Sequence, residues 1–144
     1  MKKQIVIAAL LLIVFVSSCS WSTRSQPYTH QKCLDVIPKD VKGLKIIAGP
    51  RTRQSLIRDM VPVVCYSRVW RGKMIAQGED FPSGRIVFRV TIEYTGEVTL
   101  VEAVETTLGS DKLVRHVSDL IMDTDFVGWA RCDTDTIFLY PISF

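Results

Sequence analysis

A chain of 144 residues with 23% charged side chains has room for one domain of ordinary size, not two large ones. Its 18 basic side chains barely exceed its 15 acidic ones, and Lys2 and Lys3 stand at the very start. That balance leaves neither the basic footprint of a nucleic-acid binder nor a polybasic membrane patch.

The first element is a leader. Lys2 and Lys3 precede an apolar run from Ile5 to Val16, which ends in Val16-Ser17-Ser18-Cys19. A charged head, a short apolar centre and small residues before a cut describe a secretory signal. The centre falls short of the roughly 20 apolar residues a membrane span needs. Val-Ser-Ser-Cys resembles the lipobox of bacterial lipoproteins. The resemblance implies a signal peptide over residues 1–18 and a lipid on Cys19, and so a lipid bilayer as one partner. Ser20 after the cysteine, rather than an aspartate, goes in that class with the periplasmic face of the outer membrane. Inner-membrane anchoring is the other option. Residues 19–32 are polar and irregular, a tether that reaches at most about 45 Å when fully extended.

Beyond the leader lie Cys33, Cys65 and Cys132. In an exported chain these predict one disulfide and one remaining thiol, with the pairing open. Residues 33–84 read as an N-terminal helical extension of the same domain. Asp40 to Ala48 suits a short edge strand, closed by Gly49-Pro50. Arg51 to Tyr66 predicts a helix, because Leu56, Ile57, Met60, Val61 and Val64 form one apolar stripe. Pro62 predicts a kink or split in it. Ser67 to Asp80 is ambiguous: Val69, Trp70, Met74 and Ile75 want burial, while Gly72 and Gly78 discourage a long element.

Residues 85–144 carry the clearest pattern. Ile86, Phe88, Val90, Ile92 and Tyr94 fall on one face and Val87, Arg89, Thr91 and Glu93 on the other, as a strand with one buried face requires. Thr95-Gly96 predicts a tight turn, glycine supplying the positive φ. Glu97 to Thr106 returns as a second strand, with Val98, Leu100 and Val104 on one side. Ser110 offers a helix cap, and Leu113, Val114, Val117, Leu120 and Ile121 recur at helical spacing. A loop with Phe126 and Trp129 leads to a last strand, Thr136 to Phe144. Pro141, lacking an amide donor, predicts an edge or a bulge there. The fold class is therefore α+β: a small antiparallel sheet with β-β-α-β order, covered on one face by a helix, plus an additional N-terminal helix.

The run Arg85 to Val98 with its Gly-x-Val, Val104-Glu-Thr-Thr-Leu-Gly-Ser-Asp111, Asp125-Phe126 and the closing Phe138-Leu-Tyr-Pro-Ile-Ser-Phe144 resembles the TonB C-terminal fold. It is most similar to the variant that ends AgmX/PglI-type proteins, over about 60 residues. Two positions depart from that variant: His116 stands near where it often has a cysteine, and Val127 to Cys132 replaces its basic, proline-containing segment. The resemblance implies a module that receives a partner strand along a sheet edge, the mode in which main-chain bonds give affinity and side-chain pockets give selectivity. Such an edge at the last strand places partner contact at Phe138 and Tyr140, and Trp129 joins them because tryptophan is enriched in binding hot spots.

No catalytic constellation assembles. His30 and His116 are far apart in sequence, His30 in the tether and His116 at the helix boundary. Asp119, Asp123, Asp125, Asp133 and Asp135 lack the spacing of a calcium loop, and no close cysteine pair suggests zinc. The expectation is a non-catalytic, membrane-anchored periplasmic adaptor without metal or cofactor. It binds an envelope protein by strand addition, in a transport, motility or secretion assembly. The alternative is a lipoprotein that binds a small ligand or an envelope polymer. A flat sheet with an open edge favours the first; a concave pocket with convergent polar groups favours the second.

Overall fold

The computed structural model describes residues 33–128 and 133–144. Cys19, the leader, the tether, Trp129 and Cys132 lie outside the described residues. In chain order the elements are β1 (Lys45–Ala48), α1 (Arg53–Ala76), β2 (Arg85–Ile92), β3 (Val98–Thr106), α2 (Asp111–Met122) and β4 (Thr136–Ser143). The strands form one antiparallel sheet in the order β1-β4-β2-β3. The chain is thus mixed α+β with a small open sheet, and β2-β3-α2-β4 supplies the expected β-β-α-β order.

Ile86, Phe88, Val90 and Ile92 of β2 are fully buried, as are Phe138 of β4 and, nearly so, Tyr140 and Ile142. They meet Leu56, Ile57, Met60 and Val63 of α1 and Leu113, Val117 and Ile121 of α2 in one core. Burial of a side chain of this size is worth about 1.5–3 kcal/mol, so this layer dominates the energetics. The other face of the sheet carries exposed Lys45, Arg89 and Glu102 beside half-buried Thr91, Ile137 and Leu139.

Helix α1 corrects two expectations. It passes Pro62 without a break and continues to Ala76. Proline removes one ladder bond, but buried Leu56, Ile57 and Met60 precede it and buried Val63, Cys65 and Ser67 follow. The buried stripe continues through Ser67, Trp70 and Met74, at spacings of three and four. Gly72 lies on the open side, with nothing within 4 Å of where a Cβ would stand. Its propensity cost of about 1 kcal/mol is outweighed by the seating of Trp70 and Met74. Thr52 caps the N-terminus, its hydroxyl accepting from the Ser55 amide at 3.2 Å.

The hairpin is also tighter in register than simple alternation suggests. Glu93 N–H donates to Glu97 O and Gly96 N–H to Glu93 O, so the connection is Tyr94-Thr95-Gly96, three residues rather than two. Tyr94 leaves the strand and is exposed. Gly96 has φ +102°, and a Cβ there would stand 2.0 Å from the Phe126 carbonyl oxygen. Only glycine satisfies both conditions. Irregularities between Val87 and Phe88 and between Thr91 and Ile92 shift the pairing. As a result Val98 and Val101, not Leu100 and Val104, lie opposite the core residues Ile92 and Val90. Leu100 and Val104 are exposed.

Helix α2 follows its periodicity. Ser110 caps it by accepting from the Leu113 amide at 3.3 Å. At its exit Phe126 is buried edge-on to Phe138, with centroids 6.2 Å apart. Buried Arg51 ties the start of α1 to the same corner, donating to Val127 O at 2.6 Å and to Glu93 O at 3.5 Å. A disulfide joins Cys33 to Cys65, closing a loop across 32 positions that contains β1. This settles the pairing that sequence left open.

Candidate functional site

The sheet has two outer edges, and β4 is neither of them. Phe138 and Tyr140 sit on a central strand, 0% and 2% exposed. The expectation that they meet a partner fails for a topological reason. The chain returns β4 between β1 and β2, so the aromatic face of the last strand becomes core. Pro141 fits there without loss. Gly84 and Phe144 exchange both main-chain bonds, so bonded pairs between β2 and β4 fall at every second position from that point. Pro141 is a non-bonded position toward β2, and its nitrogen points to the β1 side. β1 pairs no further along β4 than Leu139. The missing donor costs no ladder bond.

The long free edge belongs to β3. Nine residues pair only with β2 on one side, and all but Val98 and Val101 are exposed. Arg89 pairs with Glu102, and their side chains lie 3.6 Å apart. The neighbouring positions Val101 and Ala103 stand opposite Val90 and Phe88, whose main-chain groups serve β4. Val101 and Ala103 therefore direct their amides and carbonyls away from the sheet, where a further strand would lie. Leu100 at 49% and Val104 at 43% exposure flank this stretch, with Glu102 and Glu105 between and beyond them.

At the opposite side of the sheet is a cleft of about 450 Å³. Its walls are the segment from Val36 to Lys42, the Cys33–Cys65 disulfide, Val61 and Val64 of α1, and the end of β4. Tyr140 contributes the one nearly buried polar side chain, and its hydroxyl makes no hydrogen bond among the described residues. Burial pushes that phenol up to about 12, against a smaller opposing pull from Arg68, so it is a neutral donor at every physiological pH. Lys42, Arg68 and Arg85 stand around the opening. Arg68 donates to Ser143 O at 3.4 Å. Asp40, the only carboxylate among the described lining residues, is engaged by Arg53 at 2.5 Å. The Arg53 hydrogen bond, then that of the Val41 amide, holds its carboxyl below the usual range.

His116 stacks on Trp70, ring centroids 4.1 Å apart and planes at 16°, between the two helices. Partial burial holds its imidazole below the ordinary histidine range, Asp119 opposing. The arrangement packs a helix boundary and brings no nucleophile to the ring. Among the described residues no group of three or more histidine, cysteine or acidic side chains is arranged to hold a metal ion. No described helix is long and apolar enough to cross a membrane.

Sequence reasoning named Tyr140 on the aromatic strand and missed the cations around the cleft. Lys42, Arg68 and Arg85 come from three separate segments, and no local spacing announces them. The chain matches no family model, no characterised protein and no solved structure.

Proposed function

We propose that this protein is a lipid-anchored, non-catalytic adaptor of the bacterial envelope that receives a partner's strand along β3. The observation that carries the reading is the open edge itself: a nine-residue strand on which Val101 and Ala103 direct main-chain groups outward, with two exposed apolar side chains, Leu100 and Val104. Strand addition uses such an edge directly. The β-β-α-β order and the Gly96 hairpin support the likeness to TonB C-terminal modules, in which a sheet edge is the binding element. The lipobox-like Val16 to Cys19 supports anchoring through Cys19, on the periplasmic face of the outer membrane. A short tether would keep the edge near that membrane, within reach of a transport, motility or secretion assembly.

The test places a photocrosslinking residue at Leu100 or Val104 in cells and identifies adducts by mass spectrometry. One dominant protein adduct is expected, abolished by Ala103→Pro, which removes an outward donor without touching the β2 ladder. An adduct pattern unchanged by Ala103→Pro sinks strand addition at β3. Cys19→Ser should release the protein from membranes; retention there would sink the lipid anchor.

A second reading, a ligand-binding lipoprotein, is favoured by one observation: the unpartnered Tyr140 hydroxyl in a concave, partly apolar cleft.

A further inference from the structure

We infer that the cleft beside the Cys33–Cys65 disulfide binds an amphipathic anion, an aliphatic body carrying a carboxylate or phosphate head. This deepens the ligand-binding reading and rests on it. The cleft volume, about 450 Å³, falls within the range of small-ligand sites. Val36, Val41, Val61, Val64 and the disulfide line it with apolar surface. That surface suits an aliphatic chain.

The head group follows from charge. Lys42, Arg68 and Arg85 border the opening, and none of them has a carboxylate within ion-pair distance among the described residues. Asp40 is already spent on Arg53. Three cations without acidic partners around an apolar hollow attract an anion and repel a cation.

Arg85 is also positioned. Gly43 has φ +91°, and a Cβ there would stand 2.7 Å from the Arg85 guanidinium. The turn before β1 needs glycine for its backbone, and the end of the Arg85 side chain lies across it. Tyr140 completes the site. Its hydroxyl has no hydrogen-bond partner among the described residues and is open to the cleft, so it can donate to a ligand oxygen. Its phenol stays protonated and so donates to an anion without repelling it.

The experiment uses the full chain, oxidised and labelled with nitrogen-15, titrated with hexanoate, hexyl phosphate, hexan-1-ol and hexylammonium. Amide shifts are followed at Val41, Arg85 and Tyr140. At least one of the two anions should shift these amides saturably and bind at least about ten-fold more tightly than the alcohol or the ammonium. Which anion binds better identifies the head. The double substitution Arg68→Gln with Arg85→Gln should weaken that binding about ten-fold while amides of β3 and α2 stay in place. Tyr140→Phe should weaken it several-fold and leave the fold intact, since the hydroxyl has no hydrogen-bond partner among the described residues. Equal binding of hexan-1-ol or hexylammonium would overturn the anion assignment and leave a ligand site standing. No saturable shift with any of the four would overturn both the assignment and the ligand-binding reading.

Discussion

β1 and β3 close the same sheet on opposite sides, and they are built differently. β1 has four residues, an irregularity between Ile46 and Ala48, and an exposed lysine at its start. It lies inside a disulfide loop, and Arg53 reaches over to Leu44 O and Asp40. Shortness, a bulge and a lysine are the usual means of blunting an edge against further pairing. β3 is about twice as long and lies outside the disulfide loop; two register irregularities interrupt it, and Glu102 and Glu105 add charge. Two copies paired antiparallel about Glu102 would set Glu102 against Glu102, which disfavours self-association. The edge thus discriminates against its own copy while leaving its main-chain groups accessible. Two edges of one sheet are treated differently: one is short and held within the disulfide loop, the other stays open.

The contrast can be broken from either side. The largest effect should come from Gly96→Val, which meets the Phe126 carbonyl and a positive φ together. It should cost about 4 kcal/mol, read as a lower urea midpoint, and should disorganise the β2-β3 hairpin. Reducing the Cys33–Cys65 bond acts on the other side. Releasing a loop of this length should cost about 3–4 kcal/mol. Hydrogen exchange should then quicken in β1 and the cleft wall and remain slow in β2, and equal loosening at both edges would break the comparison. Ser110→Ala removes the cap of α2, the helix beneath β3, and should lower stability by about 1 kcal/mol in the same denaturation assay. Glu102→Gln should change stability by less than about 0.5 kcal/mol, because its pairing with Arg89 is exposed. Its sharper readout is sedimentation, where relief of the like-charge clash should increase self-association through β3.

The smallest effect is one of pH. Asp40 titrates lower in the folded chain than its ordinary value of 3.8. Its contribution is present above that value and fades as pH falls toward and through the folded pKa. Line broadening of the Val41 and Lys42 amides in acid, without change in β3, is the expected signature.

The elements that read well from sequence are those whose partners are local. Ser110 and the Leu113, Val117 and Ile121 stripe lie within one helix, and Gly96 needs only its own turn. α1 was harder, because Pro62 and Gly72 are breakers in isolation. Only contacts with distant β2, α2 and Phe81 make a continuous helix favourable there. The position of β4 was not legible at all. A strand that is last in sequence can sit at an edge or between two others, and its alternation is identical in both cases. That single ambiguity moved Phe138 and Tyr140 from surface to core and hid the cleft, whose groups converge only once β4 is in the middle. β3's face assignment failed on two register irregularities, which shift the pairing without a glycine or proline to mark them.

The disulfide has a mechanical consequence. Any pull on the chain ahead of Cys33 enters the fold at that residue and passes through a covalent bond into the middle of α1. The β1 strand hangs inside the closed loop and carries none of the load, so the sheet cannot be unzipped from that end. β3 lies three strand spacings away, about 14 Å across the sheet. A pull on the chain ahead of Cys33 and a pull on the proposed strand partner of β3 would therefore be met at different places: one by a helix through sulfur, the other in shear along a row of hydrogen bonds. The weaker link is the one that can let go and rebind.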